Sequence, residues 1–356
     1  MKGRVLAVET GAGLRRAALL CDGVLEAIEI DRLSDAGLLP GAIWRCRITG
    51  TIPGIGAATA DLGQGIEGFF PDGAGLSAGQ SLLAELRREP DGEKAARLSP
   101  AIQLRSDHLV FTPARPGINI SRKVEDQAER ARLRAALDPF SGRGGFVVRT
   151  DAREVAEDIL RGEAVALIAR YDALAADPTP GLRAAPPDAV SRILAKAGQV
   201  DGAVVDAASA ECLPEGMSPR RDPAPFEALD LDAALEALLS PRHDLREGWV
   251  SIDPTPALVA IDVNTGGHAP APVNLDAARA LPRLLSLRKL GGLVVVDFAG
   301  GPKGEDRTRI ADAFQRAASR YLEGARVAGW GPAGLLEVIC PRPGRSLAML
   351  LSEKAP

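Results

Sequence analysis

Thiols, imidazoles and aromatic rings are scarce in this chain of 356 residues, which has four cysteines, three histidines and 4% aromatic residues. Cys21, Cys46, Cys212 and Cys340 are scattered and form no Cys-x-x-Cys pair. That excludes a structural zinc site of the common kind and argues against a disulfide framework at this size. His108, His243 and His268 are far apart in sequence, which argues against a His-Glu-x-x-His helix or a three-histidine centre. A metal bound here is expected to be hard, magnesium or manganese, on carboxylate ligands. Long apolar runs are missing as well: none reaches the ~18 residues needed to cross a bilayer. The apolar stretch of MKGRVLAVETG is too short for a secretory signal. We therefore expect a cytoplasmic protein with no membrane partner.

The composition is 46% hydrophobic and 25% charged, that of a soluble globular protein, and the length suggests two or more packing units. A net charge of −4 does not announce a nucleic-acid binder, but the average hides a pattern. Residues 114–149 carry eight Lys/Arg against four Asp/Glu, the basic ones being Arg115, Arg122, Lys123, Arg130, Arg132, Arg134, Arg143 and Arg149. A local basic stretch of this kind can follow a phosphate backbone.

Residues 1–34 read as a β-hairpin or meander turning at Asp22-Gly23. Residues 38–113 read as a small all-β unit. WRCRITGTI, GAATADL, EGFFP, LAELRRE and the extended AIQLRSDHLVFTP are separated by glycine-rich punctuation, and five such strands fit a barrel of the OB type. A charged helix over 124–137, a buried strand over 144–150 and a long helix over 152–176 follow. Residues 177–188, DPTPGLRAAPPD, read as a proline-rich linker. A helix over 189–197, a strand over 201–209 and a segment 222–240 ending in a helix come next. From Trp249 onward a strand pair, a helix, the strand GGLVVVDF, a second helix and the strand GLLEVICP predict a layered α/β domain.

Two strands of that last unit end in carboxylates. In ALVAIDVN, Asp262 and Asn264 are two residues apart and share one face. In GGLVVVDF, Asp297 follows three valines, and a bare charge on so apolar a strand needs solvent, a partner or a metal. If the strands are neighbours, the two aspartates converge, and a divalent cation removes their repulsion. Such a cation keeps positions open for a phosphate oxygen and water, which is the chemistry of phosphodiester hydrolysis. On spacing alone the same residues also read as strand-end turn formers, with Asn264 opening the NTGG turn.

VAIDVNTG, then NLDAA and LRKLGGLVVVDF, resemble the catalytic signature of the ribonuclease E/G family. GLLEV fits that family's closing strand, WRCRITGTIPGIGAATADLGQGIEGFF resembles its RNA-binding OB insert, and EKAARLS, NISRKVED and GFVVRT resemble further segments in the same order. The resemblance runs from about Val5 to Arg342. It implies a multidomain α/β protein: an OB-fold barrel (38–113) inserted in a split RNase H-like unit (1–37 with 187–245), then a 5′-sensor region (114–186) and a DNase I-like catalytic domain (246–356). It also implies an endoribonuclease that cuts single-stranded RNA and leaves 5′-phosphate ends, in ribosomal RNA maturation or messenger RNA turnover. By the resemblance, Asp262 and Asp297 hold magnesium (manganese being the alternative) and Asn264 contacts the scissile phosphate. Arg149 and Thr150 read a 5′-monophosphate, for which an arginine fork and a hydroxyl make a compact clamp. Phe69 and Lys94 contact RNA in the OB domain, and Arg122 and Lys123 track phosphates. Core packing for Phe69, a solvated surface for Lys94, Arg122 and Lys123, and a polar strand end for Arg149–Thr150 are the other readings of those residues.

The sequence departs from the family in places. Thr59 stands where the family has the first aromatic of the OB insert, AGGPKGED follows Asp297 where a methionine-containing run is usual, and Cys340 replaces an arginine. CPRP (Cys340–Pro343) has one cysteine where longer members have the CPRC zinc-link. We therefore expect no zinc and no zinc-tied tetramer, a short form that is a monomer or weak dimer, and no degradosome scaffold segment. The alternative function is an RNA-binding protein with weakened or lost catalysis. A glycine-rich nucleotide loop is disfavoured, since GIGAATADLG lacks the strand–GxGxxG–helix context.

Overall fold

The computed structural model describes residues 2–35, 37–90, 95–214, 216–342 and 344–352. The chain divides into two compact units, one of residues 1–34 with 188–355 and one of residues 35–187. The first begins with an antiparallel meander of β1 (Arg4–Gly11), β2 (Leu14–Cys21) and β3 (Val24–Arg32). Asp22 and Gly23 turn the second hairpin, both at positive φ, as a two-residue loop matched to strand twist requires.

The second unit opens with β4 (Ile43–Ile52), β5 (Ala57–Asp61), β6 (Glu67–Phe70), β7 (Ser81–Arg88) and β8 (Ala96–Ser99). They pair in the order β4-β5-β6-β8-β7, and β7 closes back on β4. This five-stranded closed barrel, filled by Trp44, Cys46, Ile48, Leu62, Phe70, Leu86 and Leu98, is compatible with an OB-fold. Its fifth strand is not the one read from the sequence. Ala96 and Leu98 alternate into the barrel, whereas Leu104, Leu109 and Phe111 of AIQLRSDHLVFTP enter a different core. That core belongs to β9 (Leu104–Arg105), β10 (Leu109–Thr112), β11 (Gly117–Ile120) and β12 (Gly145–Val148), ordered β11-β12-β10-β9. On this sheet pack α1 (Gln127–Leu137) and α2 (Glu157–Ala175), through Leu133, Leu137, Leu160, Ala164 and Leu167 against Phe111, Phe146 and Val148. The expected linker holds a strand, β13 (Gly181–Ala184), antiparallel to β4 with Leu182 opposite Trp44. Prolines flank the paired residues and leave their N–H groups available, so a proline-rich stretch still donates to a sheet.

Back in the first unit, α3 (Ala189–Ala197) is capped by Asp188, which accepts from the Ser191 N–H at 2.7 Å. Then follow β14 (Gly202–Val205), β15 (Arg220–Arg221), α4 (Pro225–Ala228) and α5 (Leu231–Leu239). β14 lies parallel to β1 and β15 parallel to β14, giving the order β15-β14-β1-β2-β3. The chain continues as β16 (Arg242–Asp244), β17 (Trp249–Pro254), β18 (Leu258–Asn264), α6 (Pro270–Leu287), β19 (Gly292–Asp297), α7 (Glu305–Tyr321), β20 (Arg326–Trp330), β21 (Leu336–Cys340) and α8 (Leu347–Leu351). The six strands pair as β16-β17-β18-β19-β21-β20, with only β18 and β19 parallel, joined through α6. One continuous core unites the inner face of this sheet (Val250, Ile252, Ile261, Val263, Val294, Val296, Val338), helices α5, α6 and α7, and Ala18, Leu20, Ile28 and Ile30 of the meander.

A buried ion network ties β3 into that core. Glu29 accepts from Lys289 at 2.7 Å, Lys196 at 2.9 Å and Arg192 at 3.1 Å. Burial pushes the Glu29 carboxyl up, but the charges of Lys289, Lys196 and Arg192 outweigh it and hold it at about 2. Among the described residues no helix is long and apolar enough to cross a membrane.

Candidate active site

The alternation of β18 sends Val259, Ile261 and Val263 into the core and leaves Leu258, Ala260, Asp262 and Asn264 on the other side. In β19, Val294 and Val296 are buried, and Leu293, Val295 and Asp297 share the open side. The two strands are neighbours, and the parallel register pairs Asp262 with Asp297. The two residues therefore stand side by side on neighbouring strands, which are spaced about 4.8 Å apart in a sheet. Both residues are exposed. The Asn264 side-chain amide donates to Asp262 Oδ2. Among the described residues the Asp297 carboxylate accepts no hydrogen bond, and no Lys, Arg or His forms an ion pair with either aspartate. Sequence reasoning placed all three residues correctly on strands, and the structure brings them together.

The surroundings hold these tips in place. Gly248, at φ +74°, approaches Asn264 so closely that a Cβ would lie 2.2 Å from its carbonyl oxygen, so only glycine fits. Asn274, buried on α6, accepts from the Ala299 N–H at 3.0 Å and donates to the Ala299 carbonyl at 2.9 Å. This double clamp fixes the backbone two residues beyond Asp297. The motif NLDAA contained Asn274, but only the fold shows what its amide binds. A cavity of 210 Å³ lies behind the clamp, lined by Pro270, Asn274, Ala299, Gly300, Pro302 and Arg309 among others, and neither aspartate lines it.

The donor set fits a hard cation. Among the described residues no three His, Cys, Asp or Glu side chains come together as a metal site. Magnesium needs no such cage. It commonly takes one or two carboxylates and fills the remaining positions with water and substrate phosphate. Two exposed carboxylates in matched register, neither of them ion-paired among the described residues, meet that requirement.

In the second unit, Arg149 and Thr150 follow β12 directly. The Arg149 guanidinium donates to the Asp107 carbonyl at 2.7 Å and lies 3.5 Å from Asp151, and the side chain is about half exposed. Thr150 Oγ1 shares a hydrogen bond of 2.9 Å with Ser121 Oγ. Ser121 also accepts from the Lys123 N–H at 3.4 Å, so Arg122 and Lys123, both exposed, join the same corner. Ser121 was missed from the sequence; NISRKVED carried it, but without a register its hydroxyl had no partner. Glu163 pins the neighbouring β9–β10 turn, accepting from Ser106 at 2.6 Å and pairing with His108 Nδ1 at 2.5 Å. Burial raises its carboxyl, and the hydrogen bonds from Ser106 and His108 more than reverse this, leaving it below the ordinary range. Of the other basic residues of 114–149, Arg130 binds the carbonyls of Ser121 and Val124, Arg132 binds Glu129, and Arg143 binds Asp172. Those three serve the local fold.

On the barrel, Phe70 is fully buried and Phe69 is half-buried on the outer surface, opposite Thr59 on β5 and Arg97 on β8. Thr59 spends its hydroxyl on Thr49, at 2.9 Å. Lys94 lies outside the described residues.

Comparison with known proteins places these observations in context. A profile described as the Ribonuclease E/G family matches residues 103–342. The chain is 28% identical to ribonuclease G of Haemophilus influenzae over 393 aligned residues, covering 96% of this chain and 80% of that protein. The identity to ribonuclease G of Escherichia coli is 28% over 395 residues, with the same coverage. Ribonuclease E of Synechocystis is 28% identical over 313 residues, covering 79% of this chain and 46% of that protein.

Proposed function

The chain belongs to the ribonuclease E/G family, and from that premise we propose that Asp262, Asn264 and Asp297 form its cleavage centre. It is an endoribonuclease, so its substrate is RNA. The observation that carries the proposal is the register pairing, on adjacent strands, of two exposed aspartates that form no ion pair among the described residues. In this reading Asp262 and Asp297 hold a magnesium ion, or manganese. The metal supplies Lewis-acid polarisation of a phosphate oxygen and a water more acidic than bulk. Asn264 donates its amide N–H within the site, steering the Asp262 carboxylate and presenting a neutral donor to the scissile phosphate. Hydrolysis on the 3′-oxygen side of that phosphate leaves a 5′-phosphate on the downstream fragment.

The preferred substrate in this proposal is single-stranded RNA with a 5′-monophosphate. Arg149, Thr150 and Ser121, with Arg122 and Lys123 beside them, offer two hydroxyls, a guanidinium and further positive charge for that phosphate. The half-exposed Phe69 offers a base a stacking surface on the barrel. The domain reading is supported by strand order. A three-stranded antiparallel meander continued by two parallel strands suits the split RNase H-like unit. The closed five-stranded order suits the OB domain, and the six-stranded sheet with its two crossover helices suits the DNase I-like catalytic domain.

The test is a magnesium and manganese titration of cleavage on a 5′-monophosphorylated single strand, with end-group analysis of the products. Cleavage that needs neither ion, or that leaves 5′-hydroxyl ends, would overturn the reading. Arg149→Ala is expected to erase the preference for 5′-monophosphate over 5′-hydroxyl substrate; an unchanged preference would remove the sensor assignment. RNA binding with no cleavage under any metal would favour the binding-protein alternative, to which the loss of an aromatic at Thr59 lends some support.

A further inference from the structure

The open face of the six-stranded sheet continues past the aspartates, and its register sets two rows of side chains across it. In one row Arg242 pairs with Ser251, Ser251 with Asp262, and Asp262 with Asp297. In the next, Asp244 pairs with Trp249 and Trp249 with Asn264. With strands about 4.8 Å apart, Trp249 stands one strand from Asn264, and Arg242 two strands from Asp262.

Trp249 is out of keeping with the other tryptophans. Trp44 is buried in the barrel, and Trp330 packs on the main core beside Phe298. The neighbours of Trp249 along β17, Val250 and Ile252, are fully buried, whereas Trp249 is half-buried on the opposite side and packs on no buried cluster among the described residues. Its ring is stacked by the Arg242 guanidinium, with Cζ 4.6 Å from the ring centroid. Arg242 is 59% exposed, and Asp244 holds it at 3.0 Å. A large ring and a flat cation thus sit on solvent-facing sheet, next to the residues that would hold the scissile phosphate.

We propose that Trp249 and Arg242 form a nucleobase-stacking subsite for the nucleotide adjoining the scissile phosphate; the proposal rests on the cleavage centre assigned above. Indole and guanidinium planes both stack on bases, and a guanidinium also serves the neighbouring phosphate. Every base has a π-face, so the subsite grips without reading sequence. Its effect is placement: a base held one strand away from Asn264 fixes the phosphodiester over the two carboxylates.

The experiment uses the full chain and oligoribonucleotides in which one nucleotide at a time around the cleaved bond is abasic. In the wild type, one abasic position flanking the bond is expected to raise KM about 5- to 100-fold. In Trp249→Ala that same abasic position should add no penalty, and Trp249→Tyr should restore most of it. A penalty of equal size in wild type and Trp249→Ala overturns the subsite, as does failure of Trp249→Tyr to restore it. Binding of the same labelled oligonucleotides to Asp297→Asn protein, followed by fluorescence polarisation, separates this from the catalytic reading. Loss of the abasic penalty on adding Trp249→Ala supports the subsite even if the wild type cuts nothing, and its persistence removes the subsite even if cleavage is metal-dependent.

Discussion

Glu9 on β1 and Asp206 just past β14 invite comparison with Asp262 and Asp297 on β18 and β19. β1 and β14 are parallel neighbours, as β18 and β19 are; Glu9 and Asp206 each follow the last registered pair, Val8–Val205, by one residue, whereas Asp262 and Asp297 are themselves a registered pair. The surroundings differ. Glu9 pairs with Arg16, which stacks over Phe226 at 4.2 Å, and also accepts from the Phe226 N–H at 3.2 Å. Asp206, only 9% exposed, accepts from the N–H groups of Thr10 at 3.2 Å and Ser209 at 3.0 Å. The first pair is neutralised by a cation and by backbone donors, and so is structural. The second keeps its charge available. Two acids on neighbouring strands can therefore take a metal, as proposed for Asp262 and Asp297, only where the fold withholds cationic partners from them.

The sharpest way to break this comparison is to neutralise the free pair. Asp262→Asn and Asp297→Asn should each lower kcat on the order of 1,000-fold or more, with RNA affinity and thermal melting close to wild type; full activity in either would end the two-carboxylate account. Nearly as large an effect is expected from Ser251→Arg. Ser251 pairs with Asp262 in the register, so a guanidinium there should convert the open pair to the neutralised kind and suppress cleavage at least tenfold. A rise in the metal concentration required would mark that mechanism. The reverse holds at the other pair. Asp206→Asn and Glu9→Gln should cost about 1–3 kcal/mol in urea unfolding and leave kcat per folded molecule unchanged.

The smallest effect on cleavage belongs to Glu29, whose contribution is to stability, full at neutral pH and fading in acid. Its carboxyl is held at about 2 in the folded protein against an ordinary 4.5. It therefore contributes stability that is fully present above about pH 4.5 and lost as pH falls through about 2, on the order of 3 kcal/mol in all. Glu29→Gln should flatten that part of the acid-unfolding curve; an unchanged curve would place the acid sensitivity elsewhere.

Much of this was legible in the chain, because local patterns are read locally. The helix over 189–197 follows from the apolar spacing of AVSRILAKA after a proline-rich stretch, and the structure adds the Asp188 cap. Alternation with Ile261 and Val263 places Asp262 on a strand, and the run of three valines before Asp297 does the same for it. What periodicity does not carry is pairing. The parallel register of Asp262 with Asp297, the grip of Asn274 on Ala299, and the hydroxyl pair of Ser121 and Thr150 join residues 25 to 35 positions apart. The fifth barrel strand was misplaced for the same reason: ARLS (Ala96–Ser99) is as short as LVFT and far less apolar, and only burial shows which core each enters. Arg242, Trp249 and Asp244 went unnoticed because their stack is created by strand pairing.

The discontinuity of the first unit also sets an order of events at the ribosome. Val8 waits for Val205, and at 5–20 residues per second that partner emerges roughly 10–40 s later. Residues 35–187 form a compact unit with cores of their own and can close in the meantime, while the first three strands have nothing to cover Leu6, Val8, Ala17 and Leu19 until Ala189, Val190 and Ile193 arrive. The strands that carry the proposed cleavage residues, β18 and β19, emerge later still, so in that reading a nascent chain gains its cleavage centre only after the partners of the meander have been made.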